Sequence, residues 1–146
     1  ILYTAWIERY LARKRGAGAR ERAALAAKWI YYTRTERAMS RRLVPLLGDR
    51  AEPHMGDIMR AGSALLPPEF QGESVVTVGR AVLFGESGAE LVVNCAPFGC
   101  MHGNITAAVF EQAAGRLRAP VVSVAYDGTG DNGVLEAFMH EARRRA

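Results

Sequence analysis

Both cysteines of this chain fall in the run Val92-Val93-Asn94-Cys95-Ala96-Pro97-Phe98-Gly99-Cys100-Met101-His102-Gly103-Asn104. A thiolate is the side-chain form that binds soft metals and attacks electrophiles. An apolar strand signal leads into a Pro/Gly turn, and a helical pattern follows. Cys100 is therefore expected where a strand hands over to a helix, the place at which open α/β sheets hold their ligands. The unpaired N–H groups and dipole of the helix that opens at Gly103-Asn104 favour a thiolate nearby. Cys95 continues the strand and is expected in the core, while Pro97-Phe98-Gly99 form the turn that presents Cys100.

Cys100 reads either as a small buried hydrophobe or as a reactive thiol, and for the thiol three chemistries compete. Structural zinc wants four N, S or O ligands at recognisable spacing, and Cys95, Cys100 and His102 form no such pattern. A cubane iron–sulfur cluster needs three or four thiolates, so two cysteines require ligands from elsewhere. A thiol enzyme pairing Cys100 with His102 ranks last, because residues two apart need not face each other and no third orienting group is evident. A second candidate site is Tyr126-Asp127-Gly128-Thr129-Gly130-Asp131-Asn132-Gly133, a glycine-rich acidic turn at the end of the next strand. There Asp127 and Gly128 can meet a ligand, although turn and capping chemistry explain Asp127 and Asp131 as well. The turn matches neither a dinucleotide fingerprint nor a phosphate loop.

The elements that must position these residues follow from periodicity. Trp6, Tyr10 and Leu11, then Leu25, Trp29, Ile30, Tyr32 and Met39, recur at helical steps around the Gly16-Ala17-Gly18 interruption. This predicts a short helix, a glycine hinge and a long helix that stops near Leu47-Gly48. Ile58, Met59, Ala61, Leu65 and Leu66 predict a further short helix closed by Pro67-Pro68. Residues 74–84 are ambiguous: Val75, Val76, Thr77 and Val78 favour a strand, whereas Val75, Val78, Val82 and Phe84 fit a helical face with Ser74 as its cap. Leu91-Val92-Val93 predict a strand, Asn104 to about Leu117 a helix, Val121 to Tyr126 a second strand, and Gly133 to Arg145 the last helix. The result is a right-handed βαβ unit with a parallel sheet. The expected class is α/β, flavodoxin/Rossmann-like: a helical segment over 1–68, then a short mainly parallel sheet with flanking helices over 69–146.

The 146 residues suffice for one domain with a core of its own. The start at Ile1, directly in a helical pattern, is expected of a piece of a longer polypeptide. Cysteine usage points to a reducing cytoplasmic setting. No apolar run approaches the roughly 20 residues that cross a bilayer, and no signal-peptide order is present. Residues 1–50 carry 12 Lys and Arg against 4 Asp and Glu, whereas residues 51–146 carry 7 against 11. Arg34, Arg37, Arg41 and Arg42 read first as a solvated helix face, with a grip on phosphates as the alternative. Nucleic acid nevertheless ranks low as a partner, since the basic stretch also holds Trp6, Trp29, Tyr31 and Tyr32, which read as packing residues.

Taken as a set, Val78-Gly79-Arg80-Ala81, Pro97-Phe98-Gly99-Cys100-Met101 with Gly103 and Ile105, Tyr126-Asp127-Gly128, and Leu135-Glu136-Ala137-Phe138-Met139 carry a resemblance. Over about residues 70–142 the chain resembles the activase-associated relatives of 2-hydroxyacyl-CoA dehydratase subunits. The resemblance implies that Cys100 helps bind an iron–sulfur cluster, of the 4Fe-4S kind, with cysteines from outside this chain. It also implies that an ATP-hydrolysing activase, as a separate partner, passes one electron to a component acting on an acyl-CoA. An oligomer is compatible with that arrangement. Two departures bear on it: His102 stands where the family has proline, and the Asp127 loop is short, with Gly133-Val134 where relatives carry an arginine-bearing stretch. The competing expectation is a non-catalytic scaffold or docking module for an activase or another partner.

Overall fold

The computed structural model describes all residues except 48–51, 71, 127, 129–132 and 146. The 146 residues, expected to make one domain, form two compact units, Ile1–Gly56 and Asp57–Ala146.

The first unit is a helical hairpin of α1 (Leu2–Lys14) and α2 (Ala19–Leu47). The expected glycine hinge is a Schellman turn: the Gly16 N–H bonds Arg13 O, the Ala17 N–H bonds Ala12 O, and Gly16 takes a φ of 71°. Ala5 and Ala12, seven residues apart, are the buried positions of α1, and such small side chains let helices approach closely. Lys28 bonds Glu8 at 2.6 Å, Arg9 lies 5.3 Å from the Trp29 ring centroid, and Arg15 pairs with Glu21. These contacts run the two helices antiparallel.

In the second unit, α3 (Met55–Ser63) is followed by a 3-10 turn (Pro68–Phe70), α4 (Ser74–Glu86), β1 (Val92–Pro97), α5 (Met101–Gln112), β2 (Val121–Tyr126) and α6 (Gly133–Arg145). Here helices alternate with a parallel sheet, so the architecture is broadly α/β. The ambiguity over 74–84 resolves as helix, because burial of Val75, Val78 and Ala81 on one side overrides their β preference. Glu73, not Ser74, is its N-cap residue. A Cβ at Gly62 would collide with Val75 O, and one at Gly79 with Ile58 O. Two glycines thus bring the α3 and α4 backbones into contact, which places α3 with the α/β part rather than with the preceding helices. The helical-to-α/β boundary expected at 68/69 accordingly lies within the second unit.

Val78, Ala81 and Phe110 centre the core, with Leu65, Val92, Val109, Leu117 and Val121 packed around them. Strands β1 and β2 pair in parallel from Val92↔Val121 to Pro97↔Tyr126. The bonds Val92 N–H to Pro120 O and Phe98 N–H to Tyr126 O fix the parity of the ladder. Val92, Asn94 and Ala96 therefore bond toward β2, and the main-chain groups of Val93 and Cys95 face the outer edge.

Candidate functional site at the carboxyl edge of the sheet

β1 runs four residues beyond the Val93 expected as its last, and α5 begins three residues before the expected Asn104. The hand-over loop is consequently only Phe98-Gly99-Cys100. Gly99 takes a φ of 73°, the Cys100 N–H bonds Pro97 O at 3.1 Å, and the Asn104 N–H bonds Cys100 O at 3.0 Å. Cys100 is the N-cap residue of α5, in extended geometry, and its side chain makes no capping hydrogen bond. Its thiol is free and partly exposed.

A buried polar network holds that helix start against the sheet. Asn94 Nδ2 donates to Thr106 Oγ1 and to Ser123 Oγ, each at 3.1 Å, and so joins β1, α5 and β2. Thr106 Oγ1 lies 3.0 Å from His102 O and 2.9 Å from Gly103 O, and its single proton goes to one of them at a time. At Gly103 any Cβ would collide with that of Ala96, so the first turn of α5 lies directly on β1. Asn94, Thr106 and Ser123 belong to none of the motifs that the sequence offers as sites. Their signal was a lone Asn in an apolar strand, with a Thr twelve residues on.

The expectation that Cys95 is core is overturned: Cys95 is exposed. Along β1 the side chain of Asn94 turns inward to Thr106, so strand alternation sends Cys95 to the opposite face. His102 turns its ring elsewhere, for a Cβ at Gly72 would stand 2.7 Å from its Nε2. The adjoining strand brings Tyr126 and then Gly128, with a φ of 88°, to the same edge. Asp127, the other proposed ligand contact there, lies outside the described residues, as does Asp131. Phe98, Met101 and Tyr126 are all large, apolar and exposed at this edge, at 80%, 66% and 62%.

As a donor set, Cys100 fits a single ligand position. Among the described residues no three His, Cys, Asp or Glu side chains gather to complete a metal site. A cluster on Cys100 would take its other ligands from outside these residues.

Comparison with known proteins finds no matching family model, no matching curated protein and no matching solved structure. Among the described residues, no helix is long and apolar enough to cross a membrane.

Proposed function

We propose that residues 57–146 belong to an iron–sulfur acyl-CoA dehydratase- or reductase-like component that accepts an electron from an ATP-dependent activase. In this reading Cys100 is the chain's own cluster ligand, the α/β unit is flavodoxin/Rossmann-like, and the protein works in the reducing cytoplasm. The observation that carries it is a free, partly exposed thiol at a helix N-cap, on the carboxyl edge of a parallel sheet, with no hydrogen bond that ties it to the helix start. The resemblance of residues 70–142 supplies the substrate class and the activase.

When bound, a cluster supplies storage of a single electron. The chain's residues would do the rest. Cys100 offers its sulfur from a backbone fixed by Pro97 O and Asn104 N–H. The exposed Phe98, Met101 and Tyr126 give an apolar rim that a closing partner would cover, excluding water from the site. Gly128, without a side chain, leaves backbone open for the acyl-CoA or the partner.

Anaerobic mixing of the full-length protein with activase and ATP tests the reading. ATP-dependent bleaching of the visible iron–sulfur absorption is expected, and its absence in a cluster-loaded preparation would overturn the assignment as electron acceptor. A docking module is a second reading, favoured by a separate observation, the exposed Arg34, Arg37, Arg41 and Arg42 along α2.

A further inference from the structure

At the closed end of the helical hairpin, on either side of the Gly16 turn, α1 and α2 enclose a cleft of about 400 Å³. Small side chains make the room, Ala12 on α1 and Ala19 and Ala23 one turn apart on α2. Arg9, Arg13 and Arg22 stand around it, and no acidic residue is among the described residues that line it. A smaller recess of about 110 Å³ shares Arg9 and Arg13 and lies beside Trp6 and Tyr10, whose rings stack with centroids 5.3 Å apart.

The three arginines carry charge that the hairpin does not balance. Glu8 and Glu21 are the two acidic residues of 1–35, and they pair with Lys28 and Arg15. None of Arg9, Arg13 and Arg22 forms an ion pair with a described residue. Arg9 and Arg13 are like charges one helical turn apart, a spacing that destabilises a helix. Burial, and after it the charge of Arg13, pushes the Arg9 pKa down, a cost that an anion between the two would remove. The helix dipole favours Arg13 at the end of α1 but disfavours Arg22 in the opening turn of α2. Trp29 holds the Arg9 guanidinium in place at 5.3 Å from its ring centroid, and a ring-stacked guanidinium keeps its in-plane N–H donors free.

We infer that this cleft binds a diphosphate group, held between Arg9 and Arg13 on α1 and Arg22 on α2. Guanidinium forks match the oxygens of phosphate, and three of them call for more negative charge than one carboxylate brings. The cleft has the size of a small-molecule site. Duplex nucleic acid would instead meet the exposed Arg34, Arg37, Arg41 and Arg42 farther along α2. The diphosphate stands either free or as the ester of an organic group, and for an ester the recess beside Trp6 and Tyr10 gives a ring an aromatic surface to lie on. The inference goes beyond the electron-acceptor reading and does not depend on a cluster.

The test is isothermal titration calorimetry on the full-length protein, with inorganic pyrophosphate and ADP as separate probes and adenosine as the uncharged control. Binding of a diphosphate probe and not of adenosine is expected, weakened by salt and weakened about tenfold in each of Arg13→Glu and Arg22→Glu. The pair Arg37→Glu with Arg41→Glu, farther along α2, should leave it unchanged. Arg13 and Arg22 are exposed, and unchanged circular dichroism would show that their variants fold. Arg9 stays in place because it packs on Trp29. Tighter binding of ADP would assign an ester with its ring beside Trp6 and Tyr10, whereas binding of pyrophosphate at least as tight would assign the free ion. Four results would overturn the inference: no binding of either probe, equal binding by the two cleft variants, equal weakening by the distal pair, or tighter binding of duplex DNA than of either probe.

Discussion

At the scale of single residues the account turns on Asn94, which is 8% exposed in the middle of a strand and is satisfied by Thr106 and Ser123. Replacing it by Leu removes the donor to both hydroxyls and leaves the buried Thr106 with one partner fewer. A loss of about 1–3 kcal/mol is expected in denaturant unfolding. Cys100 should also become more reactive toward a maleimide, because the start of α5 loses its tie to the sheet. The reverse holds at Ser74, 2% exposed with an Oγ that has no hydrogen-bond partner among the described residues. Ser74→Ala should raise stability by up to about 1 kcal/mol, read as a higher midpoint in the same experiment. Neither site was legible in the sequence. A polar residue in an apolar run shows that something must satisfy it, but not which of its distant neighbours does. Cys95 fails for a related reason, since membership of a strand fixes neither which face a residue takes nor whether that face is covered.

At the scale of elements, β2 and α6 match the expected bounds, and α2 ends at the expected Leu47, because apolar periodicity and glycine punctuation act locally. The segment 74–84 was undecidable locally, and the backbone contact between α3 and α4 decides it. Gly62→Ala and Gly79→Ala each force a Cβ into a carbonyl oxygen of the facing helix. Each should cost about 3 kcal/mol or more, against less than 1 kcal/mol gained in helix propensity. In the hairpin, the hydrogen bond from Lys28 to Glu8 raises the lysine pKa, as does the Glu8 charge, against a smaller opposing effect of desolvation. A raised folded-state value stabilises the hairpin fully below the ordinary lysine pKa and fades as pH climbs through the raised one. Thermal melts of the chain and of Glu8→Gln should therefore differ by a constant amount from neutral pH up to about pH 10 and converge above it. An unchanging difference through pH 12 would contradict the pairing.

For the whole molecule, the described structure joins a basic helical hairpin to an α/β unit whose sheet edge carries one open thiol. The α/β class was readable from the alternation of strand and helix signals, and so was the place of Cys100, because a strand, a Pro/Gly turn and a helix follow each other directly. The division after Gly56 was not, since it depends on which helix α3 packs against. The central claim is that Cys100 serves a cluster shared with ligands from outside these residues while Cys95, on the opposite face of β1, does not. The most direct measurement is iron and acid-labile sulfide content of the anaerobically prepared full-length protein beside its Cys100→Ser and Cys95→Ser variants. The account predicts iron and sulfide in the parent and in Cys95→Ser, with both lost or sharply reduced in Cys100→Ser. Equal cluster content in all three, or none in the parent, would contradict it.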